Sequence, residues 1–207
     1  MRPFEVARLD ELERIPVEHG LEWRPIRRRF GIAAFGTNAY TAANVGDWVV
    51  EEHSESTGHE ELYLVVSGRA RFTVDGEELD APAGTIVFLG DPALQRGAIA
   101  EEPGTVVLAA GGKPGEPFAP SPWEWYFEAY AAEGAGDAER ALAIMRDGLR
   151  ELPDNASMLY HCACILARTG RLDEARADLR RAIELRPDLA ERARSDDDLA
   201  EVREALG

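Results

Sequence analysis

A chain of 207 residues, 45% of them hydrophobic, holds one large or two small globular domains and is too apolar to remain disordered. Its 39 acidic residues outnumber 23 basic ones, and the net charge of −16 repels nucleic-acid phosphate and anionic lipid surfaces, so no nucleic-acid and no membrane partner is expected. No apolar run reaches transmembrane length and Met1–Pro16 lacks the apolar core of a signal peptide, so a cytoplasmic location is expected.

The first distinctive segment is basic: Arg24-Pro25-Ile26-Arg27-Arg28-Arg29. It reads as an arginine-rich strand edge paired with Glu51 or Glu52 rather than as an anion site. From about Arg29 to Gly111 short β-branched and aromatic runs alternate with turns: FGIAAFG, AYTAANVG, WVVEEH, ELYLVVSG, ARFTVDG, GTIVFLG and TVVLAAGG. Asp75-Gly76 is a two-residue hairpin signal. Such spacing favours an antiparallel β-sandwich or small barrel over β-α-β units.

Within this half, Trp48–Gly68 carries the densest polar chemistry. His53 and Glu55 stand two apart and share one side of a strand, and His59 and Glu61 repeat the arrangement at the start of the next. If these strands pair across the Ser56-Thr57-Gly58 turn, four metal-ligand groups converge. Imidazoles with carboxylates suit Zn, Fe, Mn or Ni. Otherwise His53, Glu55 and His59 lie on a wet loop and bind nothing, and Glu61 is a strand-entry residue hydrogen-bonded to the turn. From His59 to Val66 both faces carry apolar residues, so the strand is expected to be covered twice, by the N-terminal segment, by the helical half or by a second subunit in a homodimer.

Gly111 to Pro122 is rich in glycine and proline and reads as a linker, placing a β domain at 1–115 and a helical domain at 116–207. Beyond it, Gly136-Asp137-Ala138-Glu139-Arg140-Ala141 and Gly170-Arg171-Leu172-Asp173-Glu174-Ala175 are offset by 34 residues, as are Leu149/Ile183, Pro153/Pro187 and Asp154/Asp188. A fixed offset of this length marks a helix-turn-helix repeat. Trp123, Trp125, Tyr126, Phe127 and Tyr130 read as the core of the first repeat helix. Cys162 and Cys164, two apart on a helix, read as reduced, buried residues.

On these residues the second half resembles the tetratricopeptide repeat. Trp125, Gly136, Ala141 and Met145 match positions of one repeat, and Leu159, Ala163, Gly170, Ala175, Leu179 and Ala182 match the next. Ala129 and Gly148 depart from the pattern, standing where a glycine and an alanine are usual. Two repeats are expected, followed by a capping helix over Asp196–Leu206 with Ser195 as N-cap. The resemblance implies a protein partner.

The first half resembles the cupin superfamily. Its first motif is met by His53, Glu61 and Gly68, with Glu55 in place of a second histidine. Its second begins at Gly84, and the family's histidine falls near Gln95. The resemblance implies a jelly-roll barrel with a metal or small-molecule pocket. His53, Glu55, His59 and Glu61 are the candidate metal ligands, and Tyr63, Gln95 and Arg96 the candidate ligand contacts. Arg96 either holds a substrate carboxylate or stands exposed on its strand. Three functions follow from the resemblance: a non-catalytic binding domain coupled to an interaction module, a metal-dependent enzyme of the dioxygenase, isomerase or decarboxylase type, and a ligand sensor. The first is expected, since Gln95 stands where the enzyme requires histidine.

Overall fold

The computed structural model describes residues 4–55 and 58–202. Contacts divide the chain into two compact units, Met1–Ser121 and Pro122–Gly207, so 116–121 fall in the first. None of the helices described is long and apolar enough to cross a membrane.

The first unit holds ten strands: β1 (Ile15–Pro16), β2 (Leu21–Arg24), β3 (Gly36–Ala42), β4 (Trp48–His53), β5 (Glu60–Ser67), β6 (Arg69–Val74), β7 (Glu77–Pro82), β8 (Ile86–Leu89), β9 (Arg96–Ala100) and β10 (Thr105–Gly112). They form two antiparallel sheets, ordered β1-β2-β3-β10-β5-β8 and β4-β9-β6-β7. Side chains alternate between faces along each strand. Tyr63, Val65, Leu89 and Val107 of the first sheet therefore meet Val49, Val50, Phe72 and Ala98 of the second in one buried core. Asp75 and Gly76 both have positive φ and join β6 to β7 as their sequence requires, with Val74 opposite Glu77. Gly68 turns the chain from β5 into β6 at φ +74; a Cβ there would stand 2.4 Å from the Thr105 Oγ1, so no larger residue fits.

Two expectations for this unit are corrected. β4 and β5 do not pair: one belongs to each sheet, so the chain crosses the sandwich between them, and residues 56 and 57 of the expected turn lie outside the described residues. The basic cluster is no strand edge. Arg24 ends β2 and Ile26–Phe30 form a short helix, α1, closed by Gly31 in the left-handed region, which also displaces the first expected strand at Phe30–Gly36. Arg24 is buried, donating to the Thr41 hydroxyl and the Leu9 carbonyl, while Arg29 pairs with Glu5 at the surface.

The second unit contains α2 (Trp123–Gly134), α3 (Ala138–Glu151), α4 (Ala156–Arg168), α5 (Leu172–Leu185) and α6 (Leu189–Ser195). The bounds of α3 and α5 differ by 34 residues at both ends, as the repeat requires. Asp137 and Asn155 cap α3 and α4 through the backbone N–H of Arg140 and Met158. Trp125, Ala129, Ala141, Met145, Met158, Leu159, Ala163, Ala175, Leu179 and Ala182 fill the core. Of the five aromatics at the start of α2, Trp125 is fully buried, whereas Tyr130 is exposed. Cys162 and Cys164 are buried free thiols. The expected capping helix begins differently: Ser195 ends α6, its hydroxyl donating to the Arg192 carbonyl, and Asp196 caps a 3-10 turn at Asp197–Leu199 through the Asp198 N–H. Residues 203–206 lie outside the described residues.

Candidate functional site

The polar chemistry of the first unit gathers where β5 of one sheet faces β9 of the other. Glu61 precedes Tyr63 and Val65 by the strand period of two, which turns all three toward the interior. Arg96 is opposite Val74 and in phase with Ala98 and Ala100, so β9 turns it inward too. Its side chain is fully buried, and its guanidinium reaches across to Glu61.

The contacts are dense. Arg96 Nε donates to Glu61 Oε2 at 3.1 Å, and Nη2 donates to the same oxygen. Arg96 Nη1 donates to the carbonyls of Pro92 (3.0 Å) and Leu94 (3.1 Å), tying down the loop before β9. The Tyr63 hydroxyl donates to Glu61 Oε2 at 2.7 Å. Burial works against the Arg96 charge, but the hydrogen bonds and charge of Glu61 outweigh it and hold its pKa above the ordinary value. Burial and then the Glu61 carboxylate raise the Tyr63 phenol, which stays protonated and serves as a donor.

His53 stands at the edge of this cluster at the end of β4. Its Nδ1 is 2.8 Å from the Glu51 carbonyl oxygen, which can only accept, so Nδ1 carries the proton. Nε2 then offers its lone pair in the neutral ring. It lies 3.8 Å from Glu61 Oε2, beyond hydrogen-bond reach, and the side chain is 37% exposed.

The other expected residues have separate surroundings or border the cluster through the backbone. His59 packs its ring against Phe118 at 5.5 Å between centroids. Glu55 is fixed through its backbone N–H, which donates to the Pro92 carbonyl. Gln95, in the loop just before β9, is exposed, its backbone carbonyl accepting from the Asp75 N–H, whereas Arg96, the first residue of β9, is buried. The exposed position considered for Arg96 does not hold, since its side chain is fully buried.

Of the four expected ligands, His53 and Glu61 are the pair brought near one another, at 3.8 Å. Among the described residues the one group of three such side chains with donor atoms within 4.8 Å of one another is Cys164, Asp196 and Asp198 in the helical unit. That group is internally satisfied: Asp196 accepts from the Tyr160 hydroxyl, and Asp198 pairs with Arg168. In the barrel, Glu61 Oε2 already receives three donors. A divalent ion would compete for that oxygen beside a permanent positive charge. The donor set does not fit a metal.

Sequence reading named Glu61, Tyr63 and Arg96 but not their connection. Its signal was present: each charge is in phase with inward apolar neighbours, Glu61 with Tyr63 and Val65, Arg96 with Ala98 and Ala100.

Comparisons with known proteins follow the same division. Residues 132–195 match the family model of the tetratricopeptide repeat. No curated protein sequence matches the chain. Over its N-terminal half the chain is similar to solved cupin structures. One is KdgF from Halomonas sp., at 19% identity, covering 49% of this chain and 86% of that one, with a TM-score of 0.41. Another is an RmlC-like cupin from Shewanella frigidimarina, at 17% identity, covering 54% and 91%, with a TM-score of 0.41. A cupin protein from Bacteroides fragilis is 21% identical, covering 56% and 89%, with a TM-score of 0.42. The chain joins a unit of two antiparallel sheets, with solved cupins among its neighbours, to a helical unit in which residues 132–195 match the tetratricopeptide repeat.

Proposed function

We propose that the chain is a non-catalytic binding protein: the cupin-like unit takes a small molecule beside His53, at the end of β4, and the helical repeats engage a protein partner. The observation that carries this reading is the state of Glu61. A carboxylate serving as a base must present an oxygen to the substrate proton. Glu61 directs Oε2 to Arg96 Nε, Arg96 Nη2 and the Tyr63 hydroxyl together, so that oxygen is committed to the cross-sheet pair. The half-exposed His53 Nε2, oriented by its Nδ1–H bond to Glu51, is an acceptor suited to a hydroxyl or amide N–H.

Two further parts of the reading rest on surfaces. Tyr130 is exposed on α2, backed by Tyr126 at 5.9 Å and by the edge-on His161 ring, an aromatic position suited to a protein partner. On the outer face of the first sheet Val66, Ile86 and Phe88 are exposed, which supports a homodimer.

The test is calorimetric titration of the intact chain with small neutral compounds bearing hydroxyl and amide groups, a pentitol, a hexose and a nucleoside among them. Saturable binding lost in His53→Ala, with each compound recovered unchanged, is the expected result. Turnover by the wild type, abolished in His53→Ala, would replace the binding reading with an enzymatic one.

A further inference from the structure

We infer that the Arg96 guanidinium is the resident cation of this barrel and stands in for a metal ion between the two sheets. The resemblance places a metal-binding histidine near Gln95, yet Gln95 is exposed in the loop before β9 and Arg96, the first residue of β9, is buried. The charge that a metal would supply therefore arrives on a side chain one residue later. Arg96 also makes the connection an ion would make, linking β9 of one sheet to Glu61 on β5 of the other. Its remaining N–H groups clamp the Pro92 and Leu94 carbonyls, so cation and loop are held as one piece.

Two features show that this is a substitution at a site with metal-binding geometry. Glu61 Oε2 and His53 Nε2 are 3.8 Å apart, and two donors each about 2.1 Å from one ion stand at most about 4.2 Å apart. His53 Nδ1 is turned to the Glu51 carbonyl and Nε2 toward Glu61, the orientation that metal-bound imidazoles adopt. One imidazole and one carboxylate are thus already placed. The third position carries five N–H donors and no acceptor, so it rejects a metal. R96H would replace that cation with an acceptor and leave two imidazoles and a carboxylate, a set that binds Fe, Ni or Zn with open positions.

This inference goes beyond the proposed function, because it concerns the cation inside the barrel whether or not a small molecule binds beside His53. The test is metal titration of the intact, untagged chain with Zn, Ni and Mn in chelator-treated buffer, read by calorimetry and thermal unfolding. The wild type is expected to show no one-to-one site that His53→Ala or Glu61→Gln abolishes. R96H is expected to gain one such site, about a hundredfold tighter than anything in the wild-type barrel, and to lose it again when combined with E61Q. Metal retained in both His53→Ala and Glu61→Gln sits elsewhere and leaves the wild-type barrel metal-free, as expected. A wild-type site lost in either variant overturns the inference, as does a folded R96H that binds no tighter than the wild type. The wild-type titration decides the question even where R96H fails to fold.

Discussion

Gly148 on α3 lies directly against the indole of Trp125 on α2. A Cβ built on the glycine would stand 2.8 Å from Trp125 Cγ and 2.1 Å from Met158 Cε. This explains why glycine occupies a position where the repeat usually carries alanine: the fully buried Trp125 takes the room. On an open helix, Gly→Ala stabilises by about 1 kcal/mol through propensity. Here overpacking acts against it at about 1–3 kcal/mol. Gly148→Ala is expected to destabilise the helical unit by up to about 2 kcal/mol, measured by urea unfolding followed at 222 nm. A more stable variant would show that Trp125 and Met158 move aside freely.

The Arg96–Glu61 pair makes a second prediction, on stability alone. Removing one member of a buried pair leaves an uncompensated charge, typically at a cost of about 3–5 kcal/mol. Glu61 keeps 17% exposure, which places Glu61→Gln at the lower end, about 3 kcal/mol. Replacing both members, with Glu61→Leu and Arg96→Met, is expected to recover stability to within about 1 kcal/mol of the wild type, since neither charge is then stranded. A double variant as unstable as the single one would mean that Arg96 acts mainly through the Pro92 and Leu94 carbonyls.

The division into a strand half and a helical half was legible because each periodicity is local, and so was the Asp75-Gly76 hairpin. The α3 and α5 bounds followed from the 34-residue offset. The site was less legible. His53, Glu55, His59 and Glu61 look like one group because they are near in sequence, but β4 and β5 belong to different sheets, and sheet membership depends on partners as distant as β9 and β10. Arg96 was obscured by arginine abundance and by RGAIA being too short to stand out as a strand. Arg24-Pro25-Ile26-Arg27-Arg28-Arg29 misled because its charge suggested a surface edge, whereas Arg24 finds carbonyl and hydroxyl acceptors inside.

Burial raises the thiols of Cys162 and Cys164 to about 12. At pH 8 a thiol with that pKa has a thiolate fraction on the order of a thousandfold below that of an ordinary free cysteine. Labelling by a disulfide reagent is therefore expected to be slower than that of a model thiol by about that factor and to become fast on unfolding in urea. Rapid reaction of the folded chain at pH 8 would contradict the burial of α4.

In the first sheet Leu62 is opposite Phe88 and Leu64 opposite Ile86, so these four share the outer face. Ile86 and Phe88 are 61% and 60% exposed. The proposed homodimer would cover them. Analytical ultracentrifugation is expected to show a dimer for the wild type and a monomer for Ile86→Glu/Phe88→Glu, with unchanged circular dichroism. A wild-type monomer across the micromolar range would remove self-association from the proposed function.

Acid should weaken the helical unit through Glu133. Burial alone would raise this carboxyl, but hydrogen bonds and charge from His161 and Arg168 outweigh it and hold its pKa below the ordinary 4.5. A depressed carboxylate contributes stability that is fully present above its unfolded pKa and is lost as pH falls through the folded value. Glu133→Gln is therefore expected to lower stability at pH 7 and to flatten the loss below about pH 4.5. Asp178 titrates with the opposite sign. Burial raises it despite Arg146, so its protonation favours the folded state as pH falls. Asp178→Asn should accordingly steepen the acid limb that Glu133→Gln flattens. Urea midpoints measured from pH 3 to pH 7 for both variants separate the two contributions, and parallel curves would show that neither carboxylate shapes the acid response.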